Sequence, residues 1–344
     1  MIVVMQQGAS PAQIDHVIER IKSLGLAVHL SRGEYRTVIG AIGDKRPEHQ
    51  SILEAIDGVE QVVPIMKPFK LASREFHHAD SVVDVGGVKL GGGPVALIAG
   101  PCAIENRESL RAVAGNVRAA GAAILRGGAF KPRTSPYSFQ GLGEEGLKLL
   151  REVGDEFKLP VVTEVVAVAE VPIVERYADM LQIGARNVQN FHLLSEVGKT
   201  RKPVFLKRGF ATTVREYLMS AEYILSQGNT QVVLCERGIK TFETELRFTF
   251  DVSAVPVLKQ NTHLPVFVDP SHASGHRQYV LPLALAGVAA GADGVMVEVH
   301  HCPEEAMCDG PQSLLPDMFV NLSKQVAAVA AALGRTMVAP LKKD

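Results

Sequence analysis

The sequence is poor in several features that would place it outside the ordinary globular class. Cysteine is scarce: Cys102, Cys235, Cys302 and Cys308 are the four in 344 residues, and no pair has CxxC spacing. That excludes a disulfide framework in so large a chain and gives no sign of a zinc knuckle. An excess of one charge sign is also lacking. Lys+Arg number 36 and Asp+Glu 37, for a net charge of -1, so bulk charge does not draw the chain onto nucleic acid. A locally basic pocket remains compatible with this neutral total. No uninterrupted apolar run approaches the roughly 20 residues of a bilayer span. The start, MIVVMQQGASPAQ, has neither the basic stretch nor the longer apolar core of a signal peptide. A cytoplasmic protein without nucleic-acid or membrane partners is expected. What is present is 47% hydrophobic and 21% charged residues, a composition that buries a core. The length fits two domains of roughly 150 residues, or one α/β barrel of roughly 250 with a small appendage.

The first 66 residues read as a unit of their own. A β-branched run at 2–5 is followed by Gly8-Ala-Ser-Pro11, with Ser10 as an N-cap and Pro11 at the first helical position. Ile14, Val17, Ile18 and Ile21 recur at helical spacing until Gly25. Strands are expected at 27–30 and 35–42, a helix at 47–56 and a last strand at 62–66. The order βαββαβ is the ferredoxin-like pattern, an antiparallel sheet with both helices on one face. The unit holds no cluster of groups suited to chemistry, which points to a structural or regulatory part.

Residues 67–92 read as a linker followed by a hairpin, since residues 82–90 alternate around Gly86-Gly87. From residue 93 buried-strand runs alternate with amphipathic stretches. Strands are expected at 95–99, 122–125, 161–165, 180–183, 204–206, 232–234, 266–268 and 295–299. Helices are expected at 108–120, 145–157, 214–226 and 281–290, and a last one at 314–333 closes the pattern. Eight strand–helix units in succession imply a closed parallel (β/α)8 barrel over 93–344.

In such a barrel the chemistry lies on loops after the C-terminal strand ends. Reading those positions gives two sets. The first is cationic: Arg126, Lys131, Arg133, Arg186, Lys207, Arg208 and Arg237. Any one of them is as readily explained by a barrel-edge ion pair. As a set they outnumber the carboxylates of the same loops, Glu164 and Glu236 being the exceptions, so anions are the natural complement. The second set is a candidate metal site: Cys102 after the first strand, His272 after the seventh, Glu298 at the end of the eighth and Asp309 in the loop beyond. Closure makes strands seven, eight and one neighbours. A thiolate, an imidazole and two carboxylates suit Zn²⁺, Fe²⁺, Mn²⁺ or Cu²⁺. A lone strand-end cysteine is often just a small buried residue, and His300, His301, Cys302 and Cys308 are rival ligands.

These segments resemble the 3-deoxy-D-arabino-heptulosonate 7-phosphate (DAHP) synthases. The resemblance rests on Ala99-Gly-Pro-Cys-Ala-Ile-Glu105, Arg126-Gly-Gly-Ala-Phe-Lys-Pro-Arg-Thr-Ser135, Gly184-Ala-Arg-Asn187, Leu206-Lys-Arg-Gly209, Cys235-Glu-Arg-Gly238, Val268-Asp-Pro-Ser-His272 and Asp309-Gly-Pro-Gln-Ser313. The N-terminal unit is similar to that of the microbial subgroup with an appended, ACT-like ferredoxin domain. The neighbouring 3-deoxy-D-manno-octulosonate 8-phosphate synthases share the barrel, but have an Ala-Asn-Arg-Ser stretch where this chain has Lys131-Pro132-Arg133-Thr134-Ser135.

The resemblance implies condensation of phosphoenolpyruvate with erythrose 4-phosphate in the shikimate pathway. It implies that Arg126, Lys131, Glu164, Ala185, Arg186, Lys207 and Arg237 surround phosphoenolpyruvate, and that Arg133 and Thr134 clamp the second phosphate. Cys102, His272, Glu298 and Asp309 would ligate a divalent ion (Mn, Fe, Zn, Co or Cu), while Lys131, Glu164 or His272 moves protons. A homotetramer inhibited by tyrosine or phenylalanine is further implied. The competing readings are the octulosonate synthase acting on arabinose 5-phosphate and a metabolite sensor that has lost catalysis.

Overall fold

The structure, a computed structural model, describes the chain apart from residues 33–35, 43–45, 64–67, 133, 134, 136, 343 and 344. The chain divides into two compact units, Met1–Pro68 and Phe69–Asp344.

The first unit is built from β1 (Ile2–Met5), α1 (Pro11–Ser23), β2 (Ala27–Arg32), β3 (Thr37–Ile42), α2 (Pro47–Glu54) and β4 (Val59–Val63). Its sheet order is β2-β3-β1-β4, and β1 runs antiparallel to both β3 and β4. Period-two alternation turns Val3 and Met5 inward, where they meet Ile14, Val17 and Ile21 of α1. Helix α1 starts where the sequence says it should, because Ser10 and Gln13 form a reciprocal capping box. The fourth strand begins earlier than the apolar run suggests: Val59 and Val62 supply its buried positions, while Glu60 and Gln61 are exposed.

The second unit opens with a segment docked on the barrel rather than a free linker. The Glu222 carboxylate accepts the backbone N–H groups of Lys70, Leu71 and Ala72 at 2.9–3.0 Å. His263 bonds the Leu71 carbonyl and the Ser81 hydroxyl, each at 2.7 Å. The hairpin β5 (Val83–Val85) and β6 (Val88–Leu90) follows.

The barrel strands are β7 (Ala96–Gly100), β8 (Ile124–Arg126), β9 (Val161–Glu164), β10 (Met180–Ile183), β11 (Val204–Lys207), β12 (Val232–Glu236), β13 (Val266–Val268) and β14 (Gly294–Glu298). All neighbours are parallel, and β14 pairs with β7 to close the ring. The principal helices between and after them are α3 (Arg107–Ala119), α4 (Glu144–Glu156), α5 (Val171–Tyr177), α6 (Phe191–Lys199), α7 (Val214–Leu225), α8 (Ala254–Asn261), the short α9 (Pro270–Ser274), α10 (Arg277–Ala289) and α11 (Pro316–Ala332).

Both faces of each barrel strand are covered, which is why the strands read as unbroken apolar runs. Outward residues such as Leu97, Leu125, Leu181 and Leu234 pack under the helices. Inward residues including Ile98, Val162, Phe205, Phe267 and Met296 fill the interior together with Val83, Val85, Val88 and Leu90 of the hairpin. Phe205 and Phe267 meet edge to face at 5.6 Å, both fully buried. Each is worth about 2–3 kcal/mol of apolar burial. The hairpin thereby stoppers the N-terminal end of the barrel, and the C-terminal end stays open.

Candidate active site

At the open end the strands hand over polar side chains that are buried, or half-buried in the case of Glu164. Arg126, Glu164, Lys207, Glu236 and Glu298 are the last residues of their strands. Arg237 follows β12, Ala185 and Arg186 lie in a turn after β10, His272 is in α9, and Cys102 lies just beyond β7. Gly100 allows the turn to Cys102, because a Cβ there would sit 2.0 Å from the Arg126 carbonyl oxygen. A cavity of about 330 Å³ is lined by Arg126, Lys131, Glu164, Ala185, Arg186, Lys207, Arg237, His272 and Asp309, among others. A larger cleft of about 610 Å³ around Arg151, Pro160 and Arg176 lies at the opposite, stoppered end. Convergent charge, not volume, singles out the first.

The cations of the cavity are held in different ways. The Arg126 guanidinium meets Glu298 Oε1 at 2.5 Å, and Lys207 Nζ meets Asp269 Oδ2 at 2.5 Å. Lys131 Nζ donates to the Cys102 sulfur at 3.0 Å and to the Cys102 carbonyl at 3.2 Å. Burial works against its ammonium, yet Cys102, Cys308 and Glu298 hold its pKa above the usual lysine value. Arg237 is different. It is 3% exposed, and its hydrogen bonds are long ones to the carbonyls of Gly238 and His272, at 3.4 and 3.3 Å. No carboxylate among the described residues pairs with it, and burial pushes its pKa down to about 10. Arg208, grouped with these cations by sequence, turns away. Its guanidinium bonds Glu236 and Asp251 at 2.8 Å and the Thr212 carbonyl at 2.9 Å, so it is structural.

The sulfur, imidazole and carboxylate residues converge beside this pocket. Donor atoms of Cys102, Cys308 and Asp309, and of His272, Glu298 and Asp309, form two groups each within 4.8 Å, joined through Asp309. Cys102 Sγ is 3.1 Å from Asp309 Oδ2, and His272 Nε2 is 3.4 Å from Glu298 Oε1. Burial disfavours the Glu298 carboxylate, but His272, Arg126 and Lys131 bring its pKa well below the usual range. The Cys102 thiol is pushed up by its bond to Cys308, by burial and by Glu298. His272 Nδ1 lies 2.8 Å from Asp269 Oδ2, which fixes the ring, while Nε2 faces Glu298. Asp309 holds a left-handed backbone, φ 52° and ψ 30°, outside glycine an uncommon conformation that is concentrated at functional sites. An imidazole, a thiol and two carboxylates whose donor atoms gather in one largely buried spot fit a divalent cation of borderline softness.

The rival ligands separate. Cys308 lies 3.2 Å from Cys102, sulfur to sulfur. His300 Nδ1 accepts the Cys302 N–H, and His301 meets the Ser109 hydroxyl. Both imidazoles line a different cavity with Glu105 and Glu108. Arg133 and Thr134 lie outside the described residues, although Pro132, Ser135 and Ser138 of the same loop line the central cavity. Sequence reading passed over Asp269, Gln182, Gln312, Phe210 and Phe248. Asp269 receives Lys207 and stands beside His272; Gln312 Nε2 donates to Glu298 at 2.6 Å, and Gln182 Nε2 to Glu164 at 3.3 Å. The position of Asp269, directly after β13, was the available signal.

A (β/α)8 barrel whose open end gathers cations against a sulfur–nitrogen–oxygen cluster defines a class: enzymes that handle anionic substrates beside a metal-type centre. Comparison with known proteins narrows it. Residues 75–334 match the model of the DAHP synthetase I family, and residues 1–67 match the DAHP synthase ferredoxin-like domain. The chain is 52% identical over 334 residues to the phospho-2-dehydro-3-deoxyheptonate aldolase of Thermotoga maritima, covering 97% of this chain and 99% of that one. The crystal structure of the DAHP synthase from Thermotoga maritima superposes with a TM-score of 0.93 at 51% identity, covering 98% of each chain. A more distant relative, the 2-dehydro-3-deoxyphosphooctonate aldolase of Geobacter sulfurreducens, is 32% identical over 72% of this chain and 97% of its own. The chain belongs to the DAHP synthetase I family and is an enzyme of that class.

Proposed function

We propose that the chain condenses phosphoenolpyruvate with erythrose 4-phosphate, consuming water and releasing inorganic phosphate. The observation that carries this reading is the convergence of Arg126, Lys131, Arg186, Lys207 and Arg237 on one cavity that also reaches His272 and Asp309. Two such substrates bring roughly five negative charges near neutral pH, and only a cationic collar holds them close together. Arg186, Lys207 and Arg237 take the phosphate of phosphoenolpyruvate, and Arg126 and Lys131 its carboxylate. Arg133 and Thr134 take the phosphate of erythrose 4-phosphate.

Cys102, His272, Glu298 and Asp309 hold the divalent ion, with Cys308 beside them. When bound, such an ion supplies Lewis acidity toward the aldehyde oxygen. The protein's own groups orient the enol carbon toward the aldehyde and screen the anions. They also place a proton-transfer group, Glu164, Lys131 or His272, within the same cavity. C3 of the enol bonds to the aldehyde carbon, water adds at C2, and the C2–oxygen bond to phosphate breaks. Since the protein forms no covalent bond, orientation and fixed charges supply the acceleration.

The first unit is read as the regulatory part, binding tyrosine or phenylalanine, in a homotetramer. No helix among the described residues is long and apolar enough to cross a membrane.

The test is phosphate release from phosphoenolpyruvate, with erythrose 4-phosphate or arabinose 5-phosphate as co-substrate, before and after chelation. Turnover with the tetrose, loss on chelation and recovery with Mn²⁺ are expected. Faster turnover with the pentose would shift the reading to the octulosonate synthases, which the relatives at 31–37% identity represent. Full activity without metal would refute the metal role.

A further inference from the structure

Among the described residues, Arg237 is the buried cation of the cavity that is kept in place by rings rather than by an anion or a sulfur. Its guanidinium carbon lies 4.1 Å from the Phe248 ring centroid and 5.1 Å from that of Phe210. The two rings are themselves stacked, with centroids 5.0 Å apart and planes 6° from parallel. Arg186 approaches the same Phe210 ring at 6.0 Å. Phe248 is 9% exposed, so the contact is largely out of water, where an aromatic face attracts a cation most strongly. Arg126 and Lys207, by contrast, are each engaged by a buried carboxylate.

The difference has a chemical consequence. A carboxylate that neutralises an arginine must be displaced or shared when a phosphate arrives, and much of the new attraction is offset. An aromatic ring steadies the guanidinium through its quadrupole and leaves the full positive charge available. We infer that Phe210 and Phe248 are positioning residues for phosphoenolpyruvate: they preorganise Arg237 as an un-neutralised cation aimed at the substrate phosphate. This rests on the reading of Arg237 as a phosphate ligand given above. It adds a cause for the arginine's readiness and a role for two phenylalanines that the sequence reading passed over.

The experiment uses the full chain loaded with Mn²⁺ and measures binding of phosphoenolpyruvate and of inorganic phosphate by calorimetry, alongside steady-state kinetics. The variants are Phe248→Leu, Phe248→Tyr, Phe210→Leu and Arg237→Ala. Phe248→Leu is expected to weaken both ligands about ten-fold and to raise KM for phosphoenolpyruvate similarly, with kcat changed far less. Phe248→Tyr, which keeps the ring face, should stay within about two-fold of the parent. If tyrosine fails as badly as leucine, the ring acts only by its shape and the inference is overturned. Should Phe248→Leu not fold, Phe210→Leu carries the same expectation from a less buried ring. Tight binding by both leucine variants, with Arg237→Ala crippled, would overturn the aromatic role while sparing the phosphate site. Unimpaired binding by Arg237→Ala would bring down the phosphate-site reading and this inference with it.

Discussion

The buried pair Arg126–Glu298 offers a sharp test of whether the anion pocket and the metal-type cluster are one electrostatic unit. The two side chains are 5% and 1% exposed and meet at 2.5 Å. Replacing Arg126 by Met keeps much of the length and removes the charge, stranding the Glu298 carboxylate. Removing one partner of a buried pair costs about 3–5 kcal/mol. The lower end applies here, because Gln312 still donates to Glu298 at 2.6 Å and His272 is 3.4 Å away. For a unit as large as Phe69–Asp344, 1 kcal/mol moves the midpoint by about 2 °C, so Tm of the chelated barrel should fall by about 6 °C. A divalent ion at Cys102, His272, Glu298 and Asp309 gives Glu298 a new counter-charge. In saturating Mn²⁺ the deficit should therefore shrink below half, and the metal-induced rise in Tm should be larger in Arg126→Met than in the parent. Differential scanning calorimetry at pH 8, where protonation of Glu298 offers little relief, reads both numbers. An equal deficit with and without metal would show that Arg126 and the ion do not share Glu298, and the coupled-site argument would fail.

Further outcomes follow from other parts of the molecule. Cys102→Ala should abolish turnover and Mn²⁺ binding while far-UV circular dichroism stays unchanged; retained metal binding would remove the thiol from the ligand set. Gly184→Ala would place a Cβ 2.0 Å from Glu164 Oε1, so Glu164 must swing away and KM for phosphoenolpyruvate should rise; unchanged kinetics would take Glu164 out of the site. Burial lowers the pKa of His263. As pH falls below about 6.5 the unfolded chain takes up the proton first, and stability present above that pH is lost on the way down through the folded value. Tm should thus decline modestly from pH 7 to 5, less so in His263→Gln; identical slopes would refute the assignment. Deleting residues 1–68 should leave an active barrel that tyrosine and phenylalanine no longer inhibit, and surviving inhibition would put the effector site elsewhere.

The barrel was legible because strands covered on both faces leave unbroken apolar runs that period and length can find. Its strand ends were not. The runs stop at Leu125, Leu206 and Leu234, whereas the strands continue through Arg126, Lys207 and Glu236. A charge normally signals solvent, and here each is buried against a partner far away in sequence. The same cause hid Asp269, which becomes the counter-ion of Lys207 across 62 positions only once the ring closes. It also made Arg208 look like its neighbour Lys207, although adjacent residues at a strand end face opposite ways. The cysteines near the C-terminus could not be ranked by spacing; only the folded loop shows that Cys308, not Cys302, comes beside Cys102.

The plug formed by Val83, Val85, Val88 and Leu90 makes the barrel a well with a single doorway. Whatever reaches the floor, where Lys207 and Arg237 lie almost wholly out of solvent, enters and leaves by the mouth at the C-terminal ends of the strands.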